Sequence, residues 1–163
     1  MNSRPVLNIP RTKLEKWHDV SSILVWIAVL IYLFVVWPKL PSKVPSHVNA
    51  AGEINNWSGK GILFIMPVIS LLLYVLFTFL SRYPHVFNYM KEITEENARQ
   101  QYTNARLLMS WIKVEIVIWF AYISWEMVHL AKGGHDLGAT VFFVMLAVLL
   151  GTIIFYARRG LRI

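Results

Sequence analysis

Four long apolar segments separated by polar ones dominate the pattern of this chain. The first, Val20–Trp37, holds no charged residue and approaches the ~20 residues that a helix needs to cross a bilayer core. Three further apolar runs lie at 61–81, 107–131 and 137–157, with a tight Gly-Gly turn between the last two. We therefore predict an all-α integral membrane protein, a four-helix bundle, that forms one domain over residues 1–163.

Composition favours a bilayer over water as the solvent of these segments. A hydrophobic content of 56% in 163 residues is more than a soluble domain of this size buries. The absence of cysteine excludes disulfides, thiolate metal sites and thiol nucleophiles. The formal net charge of +7 would suggest nucleic acid in a soluble protein, but here the basic residues flank apolar runs. We expect the lipid bilayer, and no nucleic acid, as partner.

The distribution of positive charge predicts the orientation of the helices. Most Lys and Arg residues lie in the N-terminal lead, in the segment 82–106 and at the C-terminus. The opposite connections carry Lys39, Lys43, Lys60 and Lys132. Since positive residues are enriched on the cytoplasmic side, we predict that the N-terminus and the C-terminus are cytoplasmic. By the same rule 82–106 is a cytoplasmic helical loop that runs into the third span, and 38–60 is an outer loop.

The third predicted span is unusual because it contains charged side chains, which are costly in hydrocarbon. At about 100° per residue, one polar stripe of this helix contains Glu115, Trp119, Tyr122, Glu126 and His129. We expect this stripe to face the bundle interior, with Glu115 bonded to Tyr74 and Thr78 of the second span, either as a packing contact or as a proton or substrate contact. Lys113 lies on the opposite side, and we expect its side chain to extend to the cytoplasmic interface.

One pair on this stripe has the spacing of metal ligands. Glu126 and His129 form a Glu-x-x-His pair, which places both side chains on one helical face in four-helix carboxylate proteins. If the outer loop folds over the bundle, His47 would complete a three-ligand site with an open position, suited to Zn²⁺. The alternative is that these side chains are solvated polar groups at the membrane surface, with no cofactor. The spacing alone does not distinguish the two.

The outer loop contains turn-forming and rigid residues. Its three prolines fix φ and stiffen the exit from the first span. His47-x-Asn49-x-x-Gly52 has the pattern of a turn, and Trp57 marks the return to the interface. Two interpretations stay open, a rigid connector and an outward-facing recognition surface.

The same loop resembles a known family. Leu40–Lys60 reads Leu-Pro-x-x-Val-Pro-x-His-Val-Asn-x-x-Gly-x-x-x-x-Trp-x-x-Lys. This pattern resembles the signature of a bacterial membrane domain of unknown function found at the N-terminus of SdpI-type toxin-immunity proteins. The later run Thr94–Arg106 is similar to the continuation of that domain into its third helix. The matching family hallmarks are Pro45, His47, Asn49, Gly52, Trp57 and Lys60.

The resemblance implies a multi-pass protein of the bacterial cell membrane that protects against a secreted membrane-active peptide and sequesters an autorepressor at the membrane. Those immunity proteins continue into a second membrane domain, whereas four spans are predicted here, so only the hallmark residues are carried over. We expect a non-enzymatic protein of the immunity or envelope-stress type whose outer loop recognises a peptide, a lipid or a partner protein. The alternatives are a small transporter or channel subunit using the polar stripe, and a metal-dependent membrane enzyme using His47, Glu126 and His129.

Overall fold

The fold is a bundle of long apolar helices. A computed structural model describes residues 4–49, 53–135 and 138–163. Within these ranges it contains four α-helices: α1 (Lys13–Val36), α2 (Ile65–Leu80), α3 (Ala98–Ala131) and α4 (Gly138–Arg162). Each of the four, by length and composition, can cross a membrane. The predicted all-α four-helix bundle is confirmed, and the chain is a membrane-spanning helical protein.

Helix α1 begins well before its apolar run because its first turn is capped. The Thr12 Oγ1 atom accepts a hydrogen bond from the backbone N–H of Glu15 at 3.2 Å. In return, the Glu15 carboxylate accepts from the Thr12 backbone N–H at 2.6 Å. This reciprocal capping box satisfies donors that a helix N-terminus leaves unpaired. The polar first turns of α1 are thereby helical, and this brings Glu15 and the residues after it against α3.

Helix α3 is the centre of the bundle. Helices α1 and α2 pack on one side of it, and α4 packs on the other side. On the first side, the Ser110 hydroxyl and Nδ1 of His18 in α1 form a 2.9 Å hydrogen bond. On the second side, the Asn104 side chain donates to the backbone carbonyl of Tyr156 in α4 at 2.9 Å. Polar residues on both faces of α3 therefore contact protein.

The segment 38–60 contains a β-hairpin, which the sequence did not predict. Strand β1 (Lys43–Val48) pairs antiparallel with β2 (Ile54–Gly59), with Pro45 opposite Trp57 and bulges beyond that pair. Proline lacks an N–H group, but a two-stranded sheet leaves an unpaired edge on each strand, where proline is tolerated. Val44 of β1 is fully buried in a cluster with apolar residues from α1 and α3. The hairpin therefore packs on the bundle instead of projecting from it.

The connection between α2 and α3 is mostly irregular, whereas the sequence predicted a helix after Pro84. A single 3₁₀ turn spans Pro84–Val86, and α3 begins only at Ala98. Just before α3, the backbone N–H of Thr94 donates to the Asn97 side chain at 3.0 Å, and the backbone N–H of Asn97 donates to Thr94 Oγ1 at 3.3 Å. This reciprocal pair has the pattern of a capping box, like that of Thr12 and Glu15, so the turn that leads into α3 begins at Thr94 and the chain before it stays irregular.

The segment before α1, residues 4–12, lies across α3 and this connection. The side chains of Tyr102 and Arg106 donate to backbone carbonyls of the segment at 3.0 and 2.6 Å. The Arg4 guanidinium lies 5.5 Å from the ring centroid of Tyr89. Burial raises the pKa of Tyr89, so its phenol keeps its proton and donates a hydrogen bond at 2.8 Å to a backbone carbonyl of the connection. The segment is thus fixed by specific side-chain contacts.

Candidate functional site

The bundle has two chemically different ends. We call one the hairpin end, which contains the β-hairpin and the turn that follows α3. We call the other the terminal end, which contains residues 4–12, the connection between α2 and α3, and the last turns of α4. The polar side chains that the sequence singled out divide between these two ends.

A cavity of about 500 Å³ lies at the hairpin end between β1, α3 and α4. We call it the hairpin cavity. Its volume is within the range of small-ligand sites in proteins. The described residues that line it are Pro45, Ser46, His47, Asn49, Met66, Trp119, Tyr122, Ile123, Glu126, Met127, Leu130, Ala139, Phe142 and Phe143.

The walls of the hairpin cavity are aromatic and apolar, with a carboxylate among them. The rings of Trp119 and Phe142 meet edge to face, with their centroids 5.4 Å apart. Glu126 is only 7% exposed, and the Tyr122 hydroxyl donates to its Oε2 atom at 2.8 Å. Phe142 and Phe143 are 47% and 66% exposed, so this wall also faces the surroundings of the helices. The cavity therefore combines a large apolar contact area with a few oriented polar groups.

Hairpin side chains bring polar groups to the mouth of the cavity. Ring nitrogen Nδ1 of His47 lies 2.7 Å from Oδ1 of Asn55, which orients the imidazole. The Asn49 side chain accepts from the backbone N–H of Glu53 and donates to its carboxylate, both at 2.9 Å. Ser46 Oγ is buried and has no hydrogen-bond partner among the described residues. The hairpin thus presents oriented polar side chains together with one unsatisfied hydroxyl.

The predicted zinc ligands are not brought together. In the part of the chain that the structure describes, no three His, Cys, Asp or Glu side chains form a group that could hold a metal ion. His47 and Glu126 line the cavity, but His129 stacks on Trp125, with ring centroids 5.1 Å apart and planes inclined by 9°. Gly134 lies so close to this imidazole that a Cβ there would be 2.2 Å from Nε2. The environment of His129 is therefore a packing environment.

The remaining family hallmarks have mainly structural positions. Pro45 is almost fully buried in β1, while Trp57 on β2 is 51% exposed. The Lys60 ammonium donates to the Trp37 carbonyl at 3.2 Å and lies 4.6 Å from the centroid of the Trp37 ring. This contact ties the base of the hairpin to the end of α1. Gly52 lies outside the described residues.

At the terminal end, Lys113 differs from the expectation in what its ammonium contacts. Its side chain is 2% exposed, so the ammonium is held by protein groups and does not reach solvent. It donates to Oδ1 of Asp19 at 2.7 Å and to Oγ1 of Thr78 at 3.1 Å, and its ammonium lies 4.9 Å from the Tyr74 ring centroid. An ammonium in an apolar bundle is stabilised by an anionic partner, and α1 supplies one. Lys113 thus links α3 to both α1 and α2.

Further ion pairs surround this one. Glu15 accepts from Nε and Nη2 of Arg106 at 3.0 and 2.8 Å. Arg11 pairs with the second oxygen of Asp19. We call these five residues, Arg11, Glu15, Asp19, Arg106 and Lys113, the ionic cluster. Because each of its carboxylates has a basic partner, the cluster joins α1 to α3 through satisfied charges.

The expected partners of Glu115 are also wrong. Its Oε1 atom accepts from the Thr152 hydroxyl of α4 at 2.5 Å, whereas the Thr78 hydroxyl contacts Lys113. Lys113 and Glu115 are two positions apart, about 200° around a helix, so they face opposite neighbours. Oε2 of Glu115 is buried and has no hydrogen-bond partner among the described residues. The polar stripe therefore faces α4 and the hairpin cavity, and Tyr74 lies on the other side of α3.

Sequence reasoning missed the ion pairs and the aromatic wall contributed by α4. A signal for the ion pair was present: Asp19 directly precedes the first predicted span, and the long side chain of Lys113, six positions into the third, can extend toward that level. Opposite charges at one depth in a membrane bundle tend to pair. No comparable signal marks Phe142 as a cavity residue, because the sequence does not show whether an apolar residue in a membrane span faces lipid or a cavity.

Comparison with known protein families finds one partial match. Residues 24–71 match the family described as Domain of unknown function (DUF1648). This stretch covers the second half of α1, the hairpin and the first part of α2, and it includes β1, which contributes one wall of the hairpin cavity. No curated protein and no solved structure matches the chain.

Proposed function

We propose that this chain is a non-enzymatic protein of the bacterial cell membrane, of the immunity or envelope-stress type, that recognises a membrane-active peptide at the hairpin cavity. The observation that carries the proposal is the cavity itself, a concave site of about 500 Å³ between the hairpin and two membrane helices. Both termini are cytoplasmic and the hairpin is outside, in agreement with the charge distribution along the sequence.

The composition of the cavity suits an amphipathic ligand. Trp119, Phe142 and Phe143 provide apolar contact area on membrane helices, while His47 and Asn49 provide polar groups on the hairpin. A membrane-active peptide lies at the membrane surface with its apolar face in the acyl region and its polar face toward water. The apolar face of such a peptide would contact the aromatic side chains of the membrane helices, and its polar face would contact the hairpin side chains. Few polar groups in a mostly apolar pocket are also typical of binding sites, where they fix the orientation of the ligand.

Protection of cells is the direct test. A strain that lacks this gene should become sensitive to one or more membrane-active peptides in a panel, and the wild-type gene should restore growth. The variant His47→Ala should fail to restore it, because this side chain lines the cavity and is oriented there by its hydrogen bond with Asn55 of the hairpin. A strain that is equally sensitive to every peptide with and without the gene would contradict the proposal.

A matched control separates loss of recognition from loss of protein. Leu72→Ala changes a side chain on α2 that is 64% exposed and does not line the cavity. This variant should protect as well as the wild type. Membrane levels of all variants, measured by immunoblot, should be equal within about twofold, since surface substitutions change stability by about 0.5 kcal/mol or less.

Transport is the second candidate, and the polar stripe favours it. The stripe runs along α3 from Glu126 in the cavity wall to Glu115 between α3 and α4, where one carboxylate oxygen is buried with no partner among the described residues. Carboxylates inside membrane helices often mark ion or proton pathways. Proton flux into vesicles containing the protein, abolished by Glu115→Gln, would support transport. Equal flux in vesicles with and without protein would remove this candidate.

A further inference from the structure

We infer that the hairpin cavity recognises an ammonium group carried on an apolar peptide segment, as in a lysine side chain between apolar neighbours. This inference rests on the proposed function and specifies the chemistry of its ligand. Three features of the cavity lead to it: the buried carboxylate of Glu126, the surrounding aromatic rings, and the charge of the whole lining.

The carboxylate provides the charge complement. Glu126 is the single acidic residue among the described residues of the lining, and it is 7% exposed. The hydroxyl of Tyr122, a neutral donor, orients this carboxylate through a 2.8 Å hydrogen bond. A carboxylate held in an apolar wall interacts most strongly with a cationic donor, because charge-assisted hydrogen bonds are about twice as strong as neutral ones. An ammonium entering the cavity supplies such a donor.

The aromatic rings provide a second attraction for the same group. Trp119, Tyr122 and Phe142 all line the cavity, together with the carboxylate. Aromatic faces attract cations within about 6 Å through their quadrupole, and tryptophan is the strongest of them. The buried Ser46 Oγ, which has no hydrogen-bond partner among the described residues, adds an acceptor in the same cavity. The polar contacts and the apolar walls therefore favour one chemical group, an ammonium with an apolar neighbour.

The lining favours a peptide over a phospholipid as the carrier of the ammonium. An amine-bearing phospholipid headgroup brings a phosphate next to its ammonium. The described lining residues include no lysine or arginine that could bind that phosphate. The phosphate would lie instead near Glu126, and like charges in an apolar site repel. A lysine side chain in an apolar segment carries no such anion.

The experiment uses a matched pair of probes and the purified full-length protein in nanodiscs of phosphatidylcholine. The first probe is a leucine-rich amphipathic peptide with one central lysine. The second is the same peptide with that lysine acetylated, which keeps its length and removes its charge. Binding is followed by tryptophan fluorescence, with Trp119→Phe to identify the part of the signal that comes from the cavity. Acetylation should weaken binding at least ~10-fold, as expected for loss of a charged hydrogen bond.

Variants test whether the Glu126 carboxylate causes the difference in affinity between the two peptides. In Glu126→Gln, the two peptides should bind with equal affinity, close to that of the acetylated peptide for the wild type. Glu96→Gln, which removes an exposed carboxylate at the terminal end, should retain the full difference. The comparison of the two peptides on the wild type remains decisive even where a variant does not fold.

Each other outcome overturns a defined part of the account. Equal, saturable binding of both peptides to the wild type would overturn the ammonium inference and leave peptide recognition standing. Absence of saturable binding by either peptide would overturn both. If nanodiscs containing phosphatidylethanolamine abolish binding of the lysine peptide without changing the protein's stability, the lipid amine occupies the cavity, and the choice of a peptide is overturned.

Discussion

The ionic cluster and the hairpin cavity both place carboxylates against α3, but these carboxylates have different surroundings. At the terminal end, Glu15 and Asp19 accept from arginine and lysine at close range and face packed protein. At the hairpin end, Glu126 accepts from a tyrosine hydroxyl and faces a cavity of about 500 Å³. Paired charges in a packed interface hold helices together, whereas a carboxylate in a cavity wall can bind an incoming cation. The first region therefore holds the helices together, and we propose the second as the recognition site.

The largest expected effect comes from breaking the ionic cluster. Asp19→Ala removes the anionic partner of Lys113, whose side chain is 2% exposed. Leaving one charge of a buried pair without its partner costs about 3 to 5 kcal/mol. The free energy of unfolding, measured by titration with a denaturing detergent in mixed micelles, should fall by about that amount.

A double variant sharpens this prediction. Asp19→Leu combined with Lys113→Met replaces both charges by apolar side chains, which is often close to neutral when the volumes are similar. The double variant should recover most of the stability that Asp19→Ala loses. If it is as unstable as the single variant, the pair is needed for more than charge compensation, and the assembly interpretation fails.

An intermediate effect is expected where α3 holds the N-terminal segment. Tyr102→Phe removes the hydroxyl that donates to the Pro5 carbonyl at 3.0 Å in an otherwise buried site. The loss of one such hydrogen bond costs about 1 kcal/mol. Amide hydrogen exchange should become faster over residues 5–12 and stay unchanged in the hairpin. Tyr83→Phe, at a side chain that is 43% exposed, is the control and should leave both regions unchanged.

Much of the fold follows from the sequence, because the length of an apolar run is enough to identify a membrane-spanning helix. The direction in which each polar residue faces was harder to predict. A helical projection correctly separated Lys113 from Glu115, but it could not say which side meets which helix. In this bundle α3 is central, so both sides contact protein, and the side expected to face the interface pairs with Asp19 instead.

The hairpin was missed for a different physical reason. Prolines such as Pro45 argue against strands, and neither strand shows the strict alternation of apolar and polar residues that indicates one. The cavity depends on the pairing of β1 with β2, because the hairpin places His47 and Asn49 beside α3. Of the three residues considered as zinc ligands, His47 and Glu126 therefore line one cavity, whereas His129 stacks on Trp125.

The smallest effect on stability is expected at the cavity. His47 is exposed, and its ring contacts another hairpin side chain, Asn55. The free energy of unfolding of His47→Ala should lie within about 0.5 kcal/mol of the wild type, as for most surface substitutions. The same variant should lose protection in cells. A large loss of stability would instead assign this residue to the assembly of the bundle.

Hydrogen–deuterium exchange of the protein in nanodiscs, with and without the lysine-containing peptide, compares the two regions in one experiment. Binding should slow exchange at the two parts of the cavity wall, residues 43–49 of the hairpin and 119–130 of α3. Exchange should not change at residues 13–19 and 106–113, which carry most of the ionic cluster and are already packed. Protection that appears at the ionic cluster and leaves the cavity wall unchanged would contradict the division of the molecule into an assembly region and a recognition site.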